Sequence, residues 1–151
     1  MSLAETYPPH VAAKAAGTTT KKIRRRLDHR SIELQGCDRK SSGSGDWVGL
    51  SRNRILQIAI IESLTKLGIV LSAASAAALK FTDEAQQNRP PGKLFPQGRR
   101  TFLVIRSDGP VVLAADYDAS FSDLSGYQDA MLAIDLKPLV HHVDAVLNIT
   151  K

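Results

Sequence analysis

The sequence predicts an α+β fold, with a helix-rich N-terminal part followed by a small β-hairpin, β-strand and helix module. Three observations lead there. Apolar residues recur at helical spacing through residues 8–30 and again through 51–84. Two apolar runs, Phe102–Ile105 and Val111–Ala115, then flank Asp108-Gly109, a strong hairpin signal. Between these regions, residues 85–98 hold three prolines and two glycines and read as a linker or surface loop. The predicted organisation is therefore 8–84, then 85–98, then 99–151.

Taken in order, residues 1–7 read as a frayed lead-in. Pro8-Pro9 suits the first turn of a helix, which His10–Ala16 continues with Val11, Ala12, Ala15 and Ala16 facing inward. Gly17 supplies a tight turn, and a threonine among Thr18, Thr19 and Thr20 caps the next helix. That helix runs to His29. Thr20, Ile23 and Leu27 share its inner face, and Lys21, Arg24, Arg25 and Asp28 fall largely outside. Ser31–Leu34 alternates like a short strand, residues 36–46 read as a flexible loop, and Trp47–Leu50 reads as the return strand. This hairpin would carry a basic tip at Arg39 and Lys40 and pack Trp47 in its small core.

Ser51 is placed to cap a largely buried helix that ends before Gly68, with Leu50 and Ile55 as a hydrophobic staple. Ser72 is expected to cap another, reaching about Glu84, whose alanines permit close helix packing. Arg100–Arg106 and Val111–Asp116 form the two hairpin strands around Ser107–Pro110. Residues 117–128 read as a loop, Ala130–Leu136 as a third strand, and Pro138 as the first turn of a last helix reaching Leu147.

Composition excludes several classes. No run of about 18 uncharged apolar residues exists, so no membrane span is expected, and the start lacks the layout of a signal peptide. A single cysteine, Cys37, gives no intramolecular disulfide and no Cys-rich metal site, which fits a reducing, cytoplasmic compartment. Cys37 reads as an incidental loop cysteine. His141 and His142 are adjacent, so they point about 100° apart on a helix and do not form a metal pair. Asp116, Asp118 and Asp123 lack the spacing of a calcium loop. No phosphate-binding glycine motif and no nucleophile–base constellation is present. Neither a cofactor nor a catalytic or metal site is expected, and the chain is not read as an enzyme.

Charge is distributed unevenly. Residues 1–54 hold eleven Lys/Arg against five Asp/Glu, whereas residues 55–151 hold nine against ten. Within residues 14–30, seven cations face one acid, Asp28. A basic stretch of this density on a helix points to an anionic polymer as partner.

The stretch VAAKAAGTTTKKIRRRLDHRSIEL resembles the opening of the MerR-like winged helix-turn-helix proteins. The residues that carry the resemblance are Ala13, Gly17, Thr19, Ile23 and Arg24, supported by Leu64-Thr65-Lys66-Leu67-Gly68-Ile69 and the Ser72 that follows. It covers residues 8–84. The long dimerisation helix and paired sensor cysteines of that family have no counterpart in these 151 residues, and Arg26 stands where the family places an aromatic core residue. The resemblance implies an N-terminal winged helix-turn-helix with two supporting helices that binds double-stranded DNA.

The second helix would then enter the major groove, its early residues reaching base edges. The expected DNA-binding residues are Thr19, Thr20, Lys21, Arg24 and Arg25, with Arg39 and Lys40 on the wing. Residues 99–151 are expected to join two copies, because a three-stranded sheet leaves open edges. The functional expectation is a dimeric, bacterial, sequence-specific transcriptional regulator. The alternative is a protein-interaction or phage-type accessory module whose helix-turn-helix no longer binds DNA.

Overall fold

Four alanines let the first helix sink into the centre of the protein. A computed structural model describes residues 5–43, 45–86, 88–96 and 98–149. In it, α1 (Pro9–Ala16) buries Ala12, Ala13, Ala15 and Ala16, and their small side chains admit α2 (Thr20–Asp28), α3 (Arg52–Lys66) and α6 (Leu136–Val146) as neighbours. Gly17 turns the chain at φ +71°, a conformation that costs a glycine nothing. Thr19 then caps α2, its hydroxyl oxygen accepting the Lys22 N–H at 3.2 Å.

The expected lead-in is tied down. Residues 1–4 lie outside the described residues, but Thr6–Tyr7 forms β1, antiparallel to β2 (Leu50–Ser51). This pairing displaces the predicted hairpin between 31–34 and 47–50. Ile32 is buried and Leu34 half-buried, as alternation suggested, yet Ser31–Leu34 is not a strand. Its polar groups are engaged elsewhere. The Ser31 and Ile32 N–H groups donate to the Arg26 carbonyl at the end of α2, and the Ser31 carbonyl accepts from Ser75 Oγ at 2.6 Å. Among the described residues, a single bridge, Arg39 to Gly49, ties the intervening loop to the segment before β2. Gly49 is required there. A Cβ would lie 2.6 Å from Thr6 Oγ1 and 2.9 Å from Arg39 Cβ.

Ser51 caps α3 as expected, accepting the Arg54 N–H at 3.3 Å, and Gly68 follows its end at φ +89°. Ile55, Leu56, Ile58, Ile60, Ile61 and Leu64 are fully buried along α3, each adding about 1.5–3 kcal/mol of transfer free energy. The next helix, α4 (Leu71–Thr82), starts one residue before Ser72, so Ser72 is not its cap. The N-cap is Val70, which makes no side-chain bond.

The described residues between 85 and 98 are irregular, but they do not act as a spacer. Arg89 is 1% exposed, and its guanidinium donates to the carbonyls of Lys80 and Phe81 at the end of α4, of Glu84 just past it, and of Pro90 and Lys93 in the loop. Phe81 and Phe95 flank it at 5.0 and 5.7 Å.

The C-terminal sheet has β3 (Arg100–Arg106) at its centre, between β4 (Gly109–Ala115) and β5 (Leu132–Asp135), all antiparallel. Alternation sends Leu103, Val112 and Ile134 to one face and Phe102, Val104 and Ala115 to the other. The first face belongs to the same core as α1, α3 and α4, which Val140, Val143 and Leu147 at the C-terminal end also join. An Arg52–Asp144 ion pair, with contacts of 2.6 and 3.0 Å, fastens α3 to α6. The second face is covered by a short helix that the sequence reading missed, α5 (Phe121–Ser125), closed by a Ser120–Asp123 capping box. No helix among the described residues is long and apolar enough to cross a membrane.

Candidate nucleic-acid interface

The exposed side of α2 is built by what its hidden side does. Ile23 is fully buried and Leu27 half-buried, which rolls Lys21, Arg24 and Arg25 outward. Arg26, which sequence analysis marked as out of place for a core position, completes the hidden side. Its guanidinium meets the Glu62 carboxylate of α3 at 2.5 Å, with side chains only 12% and 5% exposed. Lys22 approaches the other oxygen of Glu62 at 3.8 Å from the surface. A charged pair therefore holds α2 on α3, and the three outer cations join no ion pair with a described residue.

Thr19 is exposed at the N-terminus of α2 and Thr20 is half-buried beside it. The Thr19 oxygen is committed as an acceptor to the cap, while its hydroxyl hydrogen is available to donate. Lys40 is exposed and lines a shallow cleft with Leu27, Arg30 and Val48, so it stands beside the C-terminal end of α2. Thr19, Thr20, Lys21, Arg24, Arg25 and Lys40 thus belong to or border one helix.

Arg39 behaves differently from the expectation. Its guanidinium grips both oxygens of Asp46 at 3.0 and 3.1 Å, donates to the Trp47 carbonyl, and stacks 4.3 Å from the centre of the Trp47 ring. Three of its five N–H donors and its flat face are engaged in closing the loop. Asp46 is held well below the usual carboxylate range, first by Arg39 and then by the Ser42 N–H and hydroxyl. Trp47 is correspondingly not a core residue. It is 41% exposed and lies under Arg39.

The loop expected to be flexible contains a buried anchor. Ser44 lies outside the described residues, but the Asp38 side chain is fully buried. It accepts the N–H groups of Gln35 and Ser51 at 2.8 Å each and Arg54 Nε at 3.1 Å. Arg54, itself 1% exposed, also donates to both oxygens of Asp83, at 3.2 and 2.9 Å, and to Gln57. These contacts raise the Arg54 pKa against the desolvation that lowers it. Sequence reasoning missed Asp38, Arg54, Glu62 and Asp83. One signal was available: a helix read as buried cannot hold Arg54 and Glu62 unless opposite charges reach them.

The other candidates do not converge. Cys37 is exposed, with Sγ 3.4 Å from Ser51 Oγ. Asp116 pairs with Arg99 at 3.2 Å, and Asp123 caps α5. His141 is half-buried and His142 exposed. Among the described residues, no three His, Cys, Asp or Glu side chains gather around one point.

No family model matches this chain, and no curated protein matches it.

Proposed function

We propose that the chain binds double-stranded DNA as a helix-turn-helix protein, with α2 as the helix that enters the major groove and the loop of Arg39 and Lys40 in the place of a wing. One observation carries this reading: α2 presents Lys21, Arg24 and Arg25, in no ion pair with a described residue, on an outer face whose orientation is locked by Ile23 and the Arg26–Glu62 pair. An α-helix with its side chains is about 10–12 Å across, and a major groove about 12 Å wide accepts it. Arginine on that face suits the acceptors of guanine, and lysine suits phosphate. The Thr19 hydroxyl and the first N–H groups of α2 suit a phosphate at the helix N-terminus. Lys40 extends the basic surface at the other end of the helix, and Arg39 shapes the loop that carries it.

In this reading the protein works as a dimeric transcriptional regulator. β4 and β5 each have a strand neighbour on one side only, and an open edge suits pairing with a second copy across a two-fold axis.

Selection of bound duplexes from a random pool tests the proposal. An enriched sequence is expected. Its affinity should fall with salt by about 0.9 power of concentration per phosphate contact, and Arg24→Ala should cost about 1–3 kcal/mol on the selected site. Recovery of no duplex, or binding indifferent to salt, favours a protein-interaction or accessory module instead.

A further inference from the structure

The charge count along the chain places all net basicity in the first third, but folding assembles a second basic cleft elsewhere. It is a concavity of about 580 Å³ between the first residue of α3, residues 93–95, the start of β3 and one side of α6. Arg52, Lys93, Arg99, Arg100, Lys137 and His141 line it, and among the described residues Asp144 is the only acid that does. Asp144 is consumed by Arg52, at 2.6 and 3.0 Å. Arg99 and Arg100 lean on acids outside the lining, Asp116 at 3.2 Å and Asp135 at 3.0 Å. Lys93 and Lys137 are exposed and join no ion pair with a described residue.

The floor of the cleft is apolar, formed by Leu94, Phe95, Val140 and Ile149. Tyr117 stands at the rim, 66% exposed, its ring 6.0 Å from the Arg100 guanidinium carbon. Cations at the rim meet phosphate oxygens, and an exposed aromatic face beside an apolar floor meets a flat ring. The volume falls within the range of small-ligand sites.

We infer that this cleft binds a nucleoside phosphate, held by Lys93 and Lys137 at its phosphates and by Tyr117 and the apolar floor at its base. This site is separate from the α2 surface and does not depend on how that surface is used.

The test is titration calorimetry of the full chain with ATP, GTP, CTP and UTP in turn, against inorganic tripolyphosphate as the ligand without a base. At least one nucleotide should bind roughly tenfold more tightly than tripolyphosphate, the scale of one stacked base. Lys93→Ala and Lys137→Ala should each weaken it by roughly tenfold, and Tyr117→Ala should erase the advantage over tripolyphosphate. All three residues are exposed, and unchanged thermal melting shows that the variants fold. Arg24→Ala should leave nucleotide binding intact. The inference is overturned if no nucleotide binds at millimolar concentration or if tripolyphosphate binds equally well. Loss of binding in Arg24→Ala, with the lysine variants unaffected, also overturns it.

Discussion

Asp38→Ala should be among the most damaging single changes in the loop that joins α2 to α3. The side chain is fully buried and satisfies three donors, the N–H groups of Gln35 and Ser51 and Nε of Arg54. Truncation leaves a guanidinium in the interior short of one counter-charge and a Ser51 N–H without its acceptor. Removing one partner of a buried ion pair typically costs about 3–5 kcal/mol. Asp83 still holds Arg54 through two hydrogen bonds, and water can replace the acceptor at exposed Gln35. The low end applies, about 3 kcal/mol, out of the roughly 5–15 kcal/mol that keeps a domain folded. At this chain length the melting temperature should drop by roughly 6–12 °C. Urea unfolding followed by far-UV circular dichroism gives the number. A second variant isolates the cause. Arg54→Met placed on top of Asp38→Ala removes the stranded cation and should recover part of the loss. A loss below about 1 kcal/mol for Asp38→Ala would refute the reasoning, as would a double variant no more stable than the sum of its parts, since Arg54 and Asp38 would then not interact.

Two further outcomes follow from named pairs. Glu62→Ala removes the counter-charge of Arg26, and because Arg26 keeps a narrow path to solvent the cost should be about 2 kcal/mol in chemical denaturation. Glu62→Gln should cost less, and equal losses would mean that charge is not what holds α2 to α3. Asp46 titrates below the usual carboxylate range in the folded loop, so the stability it contributes is fully present above that range. It is lost progressively as pH falls from the ordinary aspartate range through the depressed folded value. The single tryptophan, Trp47, stacked under Arg39, reports this directly. Its emission should stay constant through the ordinary aspartate range and change at lower pH, whereas Asp46→Asn should show the released emission at neutral pH. A midpoint at the ordinary aspartate value would refute the assignment.

Local rules reached a long way into this chain. Gly17 with a threonine cap, Ser51 with Gly68, and Asp-Gly between apolar runs each mark a boundary, because a cap or turn is satisfied by residues within four positions. The same holds for the outer face of α2. Helical spacing alone turns Lys21, Arg24 and Arg25 away from Ile23, so that surface was legible without coordinates.

Alternation failed at Ser31–Leu34, since it reports which side chain is buried and not which strand stands alongside. The partner of Leu50–Ser51 proved to be Thr6–Tyr7, more than forty positions upstream. Arg39 shows the same limit at short range. Its charge was evident, but its engagement by Asp46 and Trp47 was not, and that engagement takes it out of the free basic surface.

Residue order and spacing are enough for the helices, the hairpin and the exposed cationic face of α2, because each depends on neighbours close in the chain. Burial of Asp38 by Arg54, of Glu62 by Arg26, and the meeting of Arg52 with Lys93, Arg100 and Lys137 depend on elements up to ninety positions apart. Electrostatic energy follows distance in space, so a charge balance near zero over residues 55–151 conceals a cleft in which cations converge.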